Sequence, residues 1–295
     1  MKKIVSVMLI VLLSISACMI PSSAETTEQK NDKKLFVNHC NMECNQKDSQ
    51  YQFSQDEIDE LLYLYAIGDE NQKQVSEELL NNSGVFIFSD ESSDSSISLQ
   101  SEPADVNLSG VIESYDGNTG NWALTVGGTW NNLSAIGDEI GIWWGAGVGK
   151  TKNIGGLDAV GIVLYNTYGT VPTLVSSNGY IHDGNGNRTT LYNAATYDAS
   201  RGIAFEYQDY ITCIDYNLLS YKWNYMGYGF SATMRFSSNY VNFHGKAKGF
   251  LAHSWDNTTI NSIGFSGGSG SFGLNIGWSH DKDYFLTYSG MDTDF

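Results

Sequence analysis

The chain has 295 residues and is strongly acidic, because 33 Asp and Glu residues against 16 Lys and Arg residues give a formal net charge of −17. A protein with this charge is repelled by the phosphates of nucleic acids and by anionic lipid surfaces. The composition therefore argues against nucleic-acid binding and against electrostatic docking on negatively charged membranes.

The first 24 residues have the pattern of a secretory signal peptide. A basic Lys2-Lys3 pair precedes an apolar run over residues 4–17, and small residues lead to a cleavage site after Ala24. The run is short for a membrane span. We therefore expect a secreted, extracellular protein, and the short Lys-Lys start is typical of a bacterial, Gram-positive signal peptide. Its mature chain loses two lysines and no acid, which makes the net charge about −19.

A second processing route competes with simple secretion. The letters ISAC, ending at Cys18, resemble a bacterial lipobox, and processing there would anchor the protein to the cell surface through a lipid on Cys18. Cleavage after Ala24 instead leaves Cys40, Cys44 and Cys213. An odd number of cysteines permits one disulfide and one free thiol, and leaves the pairing open.

Residues 25–88 form an acidic segment with helical signals. Residues 25–105 together contain 18 acidic and 5 basic side chains. Ser54 and Glu57 have the spacing of a capping box, and the residues after them repeat on one helical face; the apolar members of that face are Ile58, Leu61, Leu62 and Tyr65. We predict a helix that Gly68 interrupts, and a second helical piece from Glu70 to Leu80.

Residues 89–105 have the composition of a linker. The stretch SDESSDSSISLQSEP is rich in serine and acidic residues and contains few bulky apolar groups. Proteases cut at such segments, so residues 25–88 could be a pro-region that is removed or displaced. The alternative is an N-terminal appendage that stays docked on the following domain.

Residues 106–295 predict an all-β domain. Short runs rich in Val, Ile, Thr, Tyr and Phe alternate with Gly- and Asn-rich turns, and all seven Trp residues lie here. The predicted fold class is all-β, an antiparallel β-sandwich or barrel-like domain, preceded by the short α-helical N-terminal segment.

Residues 260–279, INSIGFSGGSGSFGLNIGWS, predict a β-hairpin. With the turn at residues 267–270, Phe265 would lie opposite Phe272, and Ile263 opposite Leu274. One face is apolar and the other carries Ser, Gly and Asn. A half-buried hairpin of a soluble sheet has this alternation, and so does a hairpin that inserts into a membrane.

An aromatic row supplies the candidate ligand-binding residues. Tyr221, Trp223 and Tyr225 alternate with polar residues and share one strand face. Exposed ring rows bind sugars, whereas buried ones fill a core. After Gly227 the bulky residues shift by one position in the alternating pattern, and we expect a β-bulge near Gly227 to explain this shift.

Asp183, Asn185 and Asn187 are the candidate metal ligands. Their alternate spacing in HDGNGNR could serve a calcium loop, although Arg188 occupies the position where an EF-hand has glycine. The competing interpretation is a type I′ hairpin turn. No other cofactor is predicted.

Catalytic residues are only weakly indicated. Cys213 could be a nucleophile with one of the histidines as base. Glu206 and Asp209 could be a hydrolytic carboxylate pair, but on a strand their spacing turns them to opposite faces.

Three functions remain open. The preferred one is a non-catalytic extracellular binding or surface-interaction protein, with a glycan or cell surface as partner. The first alternative is a membrane-active or antibacterial toxin that uses the 260–279 hairpin and an acidic masking pro-region. The second is a secreted hydrolase. The oligomeric state and the ligand are not predicted.

Overall fold

The structure, a computed structural model, describes residues 53–88, 105–131, 147–217, 220–265, 273–280, 282–290 and 292–295, together with residues 33, 36, 37, 40 and 133. Within the continuous described ranges the helices are α1 (Gln55–Ile67) and α2 (Glu70–Asn82), and Ser238–Asn242 forms a 3₁₀ turn; the separate residues 33, 36, 37, 40 and 133 are also helical. The strands of the first half are β1 (Val85–Ile87), β2 (Val106–Leu108), β3 (Ile112–Asp116), β4 (Asn121–Trp130), β5 (Thr151–Gly169), β6 (Leu174–His182), β7 (Arg188–Leu191) and β8 (Thr196–Asp198). The others are β9 (Gly202–Asn217), β10 (Ser220–Met226), β11 (Gly229–Phe236), β12 (Phe243–Ser254), β13 (Ile260–Phe265), β14 (Leu274–Trp278), β15 (Tyr284–Tyr288) and β16 (Thr293–Asp294).

The two helices confirm the helical signals of the N-terminal segment. Ser54 caps α1, and its side chain and that of Glu57 form the predicted capping box. Gly68 ends α1 in an extended conformation, and Asp69 then caps α2 in a second box with Gln72. The short strand β1 follows directly and pairs with β3. The segment that was predicted to be helical up to residue 88 therefore ends as part of a sheet.

All strand pairs of the described residues are antiparallel, as the fold class predicts. The first sheet has the order β1-β3-β4-β11-β6-β7, and β2 also pairs with β4. The second has the order β10-β9-β5-β12-β15, with β8 on β9 and β16 on β12. Strands β13 and β14 form a separate two-stranded sheet. None of the described helices has both the length and the apolar content needed to cross a membrane.

Both large sheets contribute to one apolar core. Alternate residues of β4 and β11 point into it from the first sheet, and alternate residues of β5, β9 and β12 from the second; they include Trp122, Leu124, Phe230, Met234, Val160, Ile162, Phe205 and Leu251. At Gly249 of β12 a side chain would overlap Val126 of β4. The glycine therefore permits the close approach of the two sheets.

Helix α1 covers the opposite face of the first sheet. Tyr63 stacks on the ring of His182 with centroids 4.0 Å apart. Gly127 and Gly229 make room for the helix, since a side chain at Gly229 would clash with the Tyr63 hydroxyl, and one at Gly127 would crowd Tyr63 and Ala66. The N-terminal segment is thus docked on a sheet surface that is shaped for it.

The predicted hairpin exists, but its register differs from the prediction by two residues. Phe265 pairs with Leu274, and Ile263 with Ile276, so that residues 266–273 join the arms. A shift of two residues keeps every side chain on its predicted face, because side chains alternate with period two. The alternation therefore identified the faces but not the register. The predicted turn at residues 267–270 lies outside the described residues.

Gly227 marks a change of sheet and not the predicted bulge. Strand β10 ends at Met226 in the second sheet, and β11 begins at Gly229 in the first sheet. Gly227 adopts φ 133° at this crossing, a region that favours glycine. The one-position shift of the bulky residues after Gly227 follows from this crossing between sheets.

Residues 1–24, Cys44 and nearly all of the predicted linker lie outside the described residues.

Candidate functional site

The described residues bring three ionisable side chains together inside the molecule. Asp158 of β5, Asp209 of β9 and His253 of β12 lie on neighbouring strands of the second sheet and share its core-facing side. Each offers a ligand atom, and these atoms lie within 4.8 Å of one another. We call Asp158, Asp209 and His253 the Asp–His cluster.

Hydrogen bonds fix the orientation of the cluster. His253 Nδ1 lies 2.8 Å from Asp158 Oδ2, and the Ser254 amide donates to Asp158 Oδ1 at 2.8 Å. The Tyr225 hydroxyl donates to Asp209 Oδ2 at 2.7 Å. Trp130 lies edge-on to the His253 ring, with centroids 4.9 Å apart. A carboxylate at one ring nitrogen selects the tautomer or the charge of a histidine.

Burial dominates the electrostatics of the cluster. Asp158, Asp209 and His253 are each at most 1% exposed. Burial, followed by the negative charges of Asp158 and Asp209, raises the pKa of Tyr207 and of Tyr225 well above the ordinary value. Both phenols therefore stay protonated and act as hydrogen-bond donors. A sealed site of this kind can order the core or hold a small ion, but it does not admit a substrate.

Two carboxylates and an imidazole are a donor set that suits divalent transition metals. Asp158, Asp209 and His253 are the residues that would hold such an ion. The short contact between His253 and Asp158 is equally an ordinary buried hydrogen bond. The geometry thus permits a metal but does not require one.

Two residues of the predicted aromatic row have described side chains, of which Tyr225 is buried and Trp223 is partly buried. Tyr225 is 2% exposed and its hydroxyl is used by Asp209, and Trp223 packs against the main core. Strand β10 turns the Tyr225 ring inward, and ligand binding by the row of Tyr221, Trp223 and Tyr225 stays an untested prediction. The side chain of Tyr221 lies outside the described part of the chain.

The predicted calcium loop is organised by its own hydrogen bonds. Asp183 Oδ1 accepts the amides of Asn185 and Asn187, and its Oδ2 accepts the side-chain amides of Asn187 and Asn224. Burial acts to raise the pKa of Asp183, but these bonds hold it below the ordinary value. The amide nitrogen of Asn187 faces Asp183, and that of Asn185 faces Asn224.

The turn is not type I′ either, because positive φ occurs in this loop only at Gly186. The Gly186 amide closes a turn on the Asp183 carbonyl. The three predicted ligands therefore form a self-bonded turn between β6 and β7, and calcium binding there stays an untested prediction.

The candidate catalytic residues are a buried cysteine and two carboxylates on opposite faces of β9. Cys213 is 1% exposed, with its thiol 3.5 Å from the Asp215 carbonyl oxygen, and it forms no disulfide. Glu206 points away from the Asp–His cluster, to the other face of β9, and burial raises its pKa. The expectation that Glu206 and Asp209 face opposite ways holds. Cys40 is fully buried in the core.

Sequence reasoning missed Asp158. The signal was a single acid within the apolar stretch LDAVGIVLY, since a charged residue in a buried strand must find a partner. It also missed the exposed tyrosines of the β7–β8 region. Tyr192 is 76% exposed and Tyr197 is 68% exposed, whereas most large rings of the described residues are buried or half-buried.

No protein-family model matches the chain, and no curated protein is similar to it. Among solved structures the chain is similar to one described as "AvmM Catalyzes Macrocyclization in Alchivemycin A Biosynthesis", with 10% identity and a TM-score of 0.19. The match covers 44% of this chain and 64% of that chain, which is less than two thirds of its length. A similarity this low supports no conclusion about fold or function.

Proposed function

We propose that the two sheets form a β-sandwich scaffold of a secreted, non-catalytic binding protein that contacts glycans at a cell surface. The observation that carries the proposal is the contrast in exposure. Asp158, Asp209, His253 and Cys213 are buried, whereas two tyrosine rings on one short segment face solvent. Catalysis needs groups that a substrate can reach, and binding by ring stacking needs exposed rings.

Tyr192 and Tyr197 are well placed for this role. They lie five residues apart: Tyr192 directly follows β7, at the edge of the first sheet, and Tyr197 lies in β8, which pairs with β9 in the second sheet. Tyrosine presents a flat apolar face and a hydroxyl on a side chain with few rotatable bonds. A sugar can stack on the face and hydrogen-bond to the hydroxyl.

Affinity electrophoresis through gels that contain soluble polysaccharides, together with a pull-down on peptidoglycan, tests the proposal. We expect the wild-type protein to be retained by at least one glycan, and the Tyr192→Ala/Tyr197→Ala variant to lose about tenfold or more in affinity, because two stacking contacts are removed. Tyr168→Ala is the matched control, since Tyr168 is 66% exposed but stacks on His244. Equal retention of all three proteins, or retention of none, would contradict the proposal.

A membrane-active function is the second candidate, and the hairpin favours it. The backbones of β13 and β14 pair with each other, and the apolar hairpin face rests on a small cluster on the outer side of the second sheet. Ile263, Phe265, Leu274 and Ile276 are only partly buried there. The β13–β14 hairpin can therefore leave the second sheet without breaking the backbone hydrogen bonds that pair the long strands.

The helices do not mask this hairpin. Helix α1 packs on the first sheet, whereas the hairpin packs on the second. A masking role of α1 and α2 is therefore not supported for the described residues.

Dye release from liposomes by the whole protein tests the membrane-active function. Ile263→Asp, on the apolar face, should abolish leakage, and Ser262→Asp, on the exposed face, should preserve it. No leakage from the wild-type protein on neutral or anionic vesicles would exclude the function.

A further inference from the structure

The Asp–His cluster lies where three long strands of the second sheet run side by side. In the pairing of β5 with β9, Asp158 lies opposite Tyr207, and Asp209 follows two positions along the same face of β9. The register of β12 on β5 brings His253 beside Asp158 from the other side. Backbone pairing in the middle of the sheet therefore fixes the positions of all three side chains.

A β-bulge in β5 directly precedes the cluster. The pairing of β5 with β9 shifts between Asn153 and Leu157. Gly155 within the bulge has φ 54°, and a side chain there would overlap the carbonyl oxygen of Ser254, the residue after His253. Bulges re-aim side chains and are frequent beside functional sites. The backbone is thus shaped so that β5 and the end of β12 approach closely at the cluster.

The distances within the cluster suit a metal ion. Two nitrogen or oxygen ligands about 2.1 Å from a zinc ion lie roughly 3.0–3.4 Å apart at octahedral or tetrahedral angles. His253 Nδ1 and Asp158 Oδ2 are 2.8 Å apart, and the ligand atoms of all three residues lie within 4.8 Å of one another. Small side-chain rotations therefore bring the three atoms into one coordination sphere, with the ion in place of the proton between His253 and Asp158.

Carboxylates outnumber basic groups in the cluster. Two buried carboxylates face one imidazole, which carries at most one positive charge. The Ser254 amide, the Tyr225 hydroxyl and the Gln208 side-chain amide donate to the carboxylates, but these donors are neutral. Buried charges in proteins are paired or bind metals. A divalent ion balances both carboxylates while His253 stays neutral, which is the form of histidine that binds metals.

The surroundings of the cluster are those of a metal site. Carboxylates that bind metals usually accept hydrogen bonds that orient them, and the neutral donors have this effect here. The rings of Trp130 and Phe285 flank the His253 ring, with centroids 4.9 Å and 5.3 Å away. An apolar shell keeps water out and strengthens the attraction between an ion and its ligands.

We propose that Asp158, Asp209 and His253 bind one divalent transition-metal ion, zinc or manganese, which joins β5, β9 and β12. Because the site is sealed, the ion enters during folding, and it holds the second sheet together instead of activating a substrate. This role is independent of glycan binding by Tyr192 and Tyr197.

Refolding of the full-length protein, prepared without a histidine tag, tests the proposal. The protein is unfolded in urea with EDTA, freed of the chelator and refolded without metal or with zinc, manganese or calcium; bound metal is then measured by mass spectrometry after gel filtration. We expect about one equivalent of zinc or manganese and a higher Tm than without metal, because an ion that binds only the folded state stabilises it. Calcium is the control ion, since it prefers sites made of oxygen ligands alone.

Single variants connect the metal to the cluster. Asp209→Asn keeps the size of the side chain but removes its charge, and we expect its zinc or manganese content to fall about tenfold or more. His253→Ala removes the nitrogen ligand and should have the same effect. His244→Ala is the matched control and should retain the metal, because His244 lies on the same strand but stacks on Tyr168.

Three outcomes would overturn the proposal. They are a wild-type protein that refolds without retaining zinc or manganese, an equal metal content of the wild-type protein and Asp209→Asn, and retention of calcium alone. If the ligand variants do not fold, the wild-type protein refolded with cobalt(II) replaces them. Intense visible absorption of four- or five-coordinate cobalt supports the site, whereas absent absorption, or the weak absorption of six-coordinate cobalt, overturns it.

Discussion

The ion pair between Asp59 of α1 and Arg235 of β11 makes the sharpest prediction about stability. Asp59 is 2% exposed and Arg235 is 7% exposed. Asp59 Oδ2 also accepts the Tyr180 hydroxyl at 2.7 Å and the Asn178 amide at 2.6 Å. Burial already lowers the pKa of Arg235 to about 10, which shows how costly its charge is at this place. The pair therefore attaches α1 to the first sheet through a buried contact.

Asp59→Asn keeps the shape of the side chain and leaves the Arg235 charge unpaired. We expect the free energy of unfolding to fall by about 3–5 kcal/mol, the usual loss when one partner of a buried ion pair is removed. Urea unfolding followed by tryptophan fluorescence measures this change, since all seven Trp residues lie in the β region. Asp59→Asn/Arg235→Met should recover most of the loss, because no charge is then left buried.

Glu60→Gln is the matched control on the same helix. Glu60 pairs with Arg188 at 2.9 Å, but both side chains are 23% exposed, so we expect a loss of about 1 kcal/mol or less. A loss below about 1 kcal/mol for Asp59→Asn, or an equal loss for both single variants, would refute the conclusion that the buried pair holds α1 in place.

Three further predictions follow from single residues. Burial, with a smaller effect of Arg188, lowers the pKa of His182 from 6.5 to about 3. The unfolded chain therefore binds a proton at this histidine more readily than the folded chain does. As a result, the free energy of unfolding of the wild-type protein should fall by up to about 1.4 kcal/mol per pH unit as the pH drops from 6.5 towards 3. His182→Gln should flatten this part of the pH profile in urea unfolding, and an unchanged profile would contradict the shift. Asp183→Ala should lower Tm because four N–H donors lose their acceptor, whereas a calcium-dependent rise in Tm of the wild-type protein would show that the loop opens to bind metal. Gly249→Ala should cost about 1–3 kcal/mol through overlap with Val126, while Gly264→Ala, where the added carbon meets nothing within 4 Å, should be close to neutral; equal effects would argue against a tight contact between the sheets.

The alternation of apolar and polar residues predicted the faces of the hairpin but not its register. Ile263 and Phe265 lie on the apolar face as expected, yet their partners are displaced by two residues. A two-residue slip changes no side-chain face, so the local pattern gives no penalty for it. The packing of the hairpin on the second sheet discriminates between such registers, and this packing involves residues far apart in the chain.

The Asp–His cluster could be predicted from the local sequence even less well than the hairpin register. Asp158, Asp209 and His253 are separated by up to 95 residues and meet because β5 lies between β9 and β12. The spacing placed Tyr225 in a row of rings on one strand face, but it did not predict that this ring is buried with its hydroxyl on Asp209. A strand pattern indicates that two faces exist, but not which of them meets the core.

The sequence by itself determined the properties that depend on neighbours along the chain. The capping box at Ser54 and Glu57, the end of α1 at Gly68 and the β-rich texture after residue 106 are local, since capping bonds and strand alternation involve residues a few positions apart. Only the tertiary structure decided the rest, namely the Asp59–Arg235 pair, the Asp–His cluster and the buried Lys33–Glu113 pair. The charged partners lie far apart in the chain, from 80 positions for Lys33 and Glu113 to 176 positions for Asp59 and Arg235, and each charge tolerates burial only because the fold brings its partner to it.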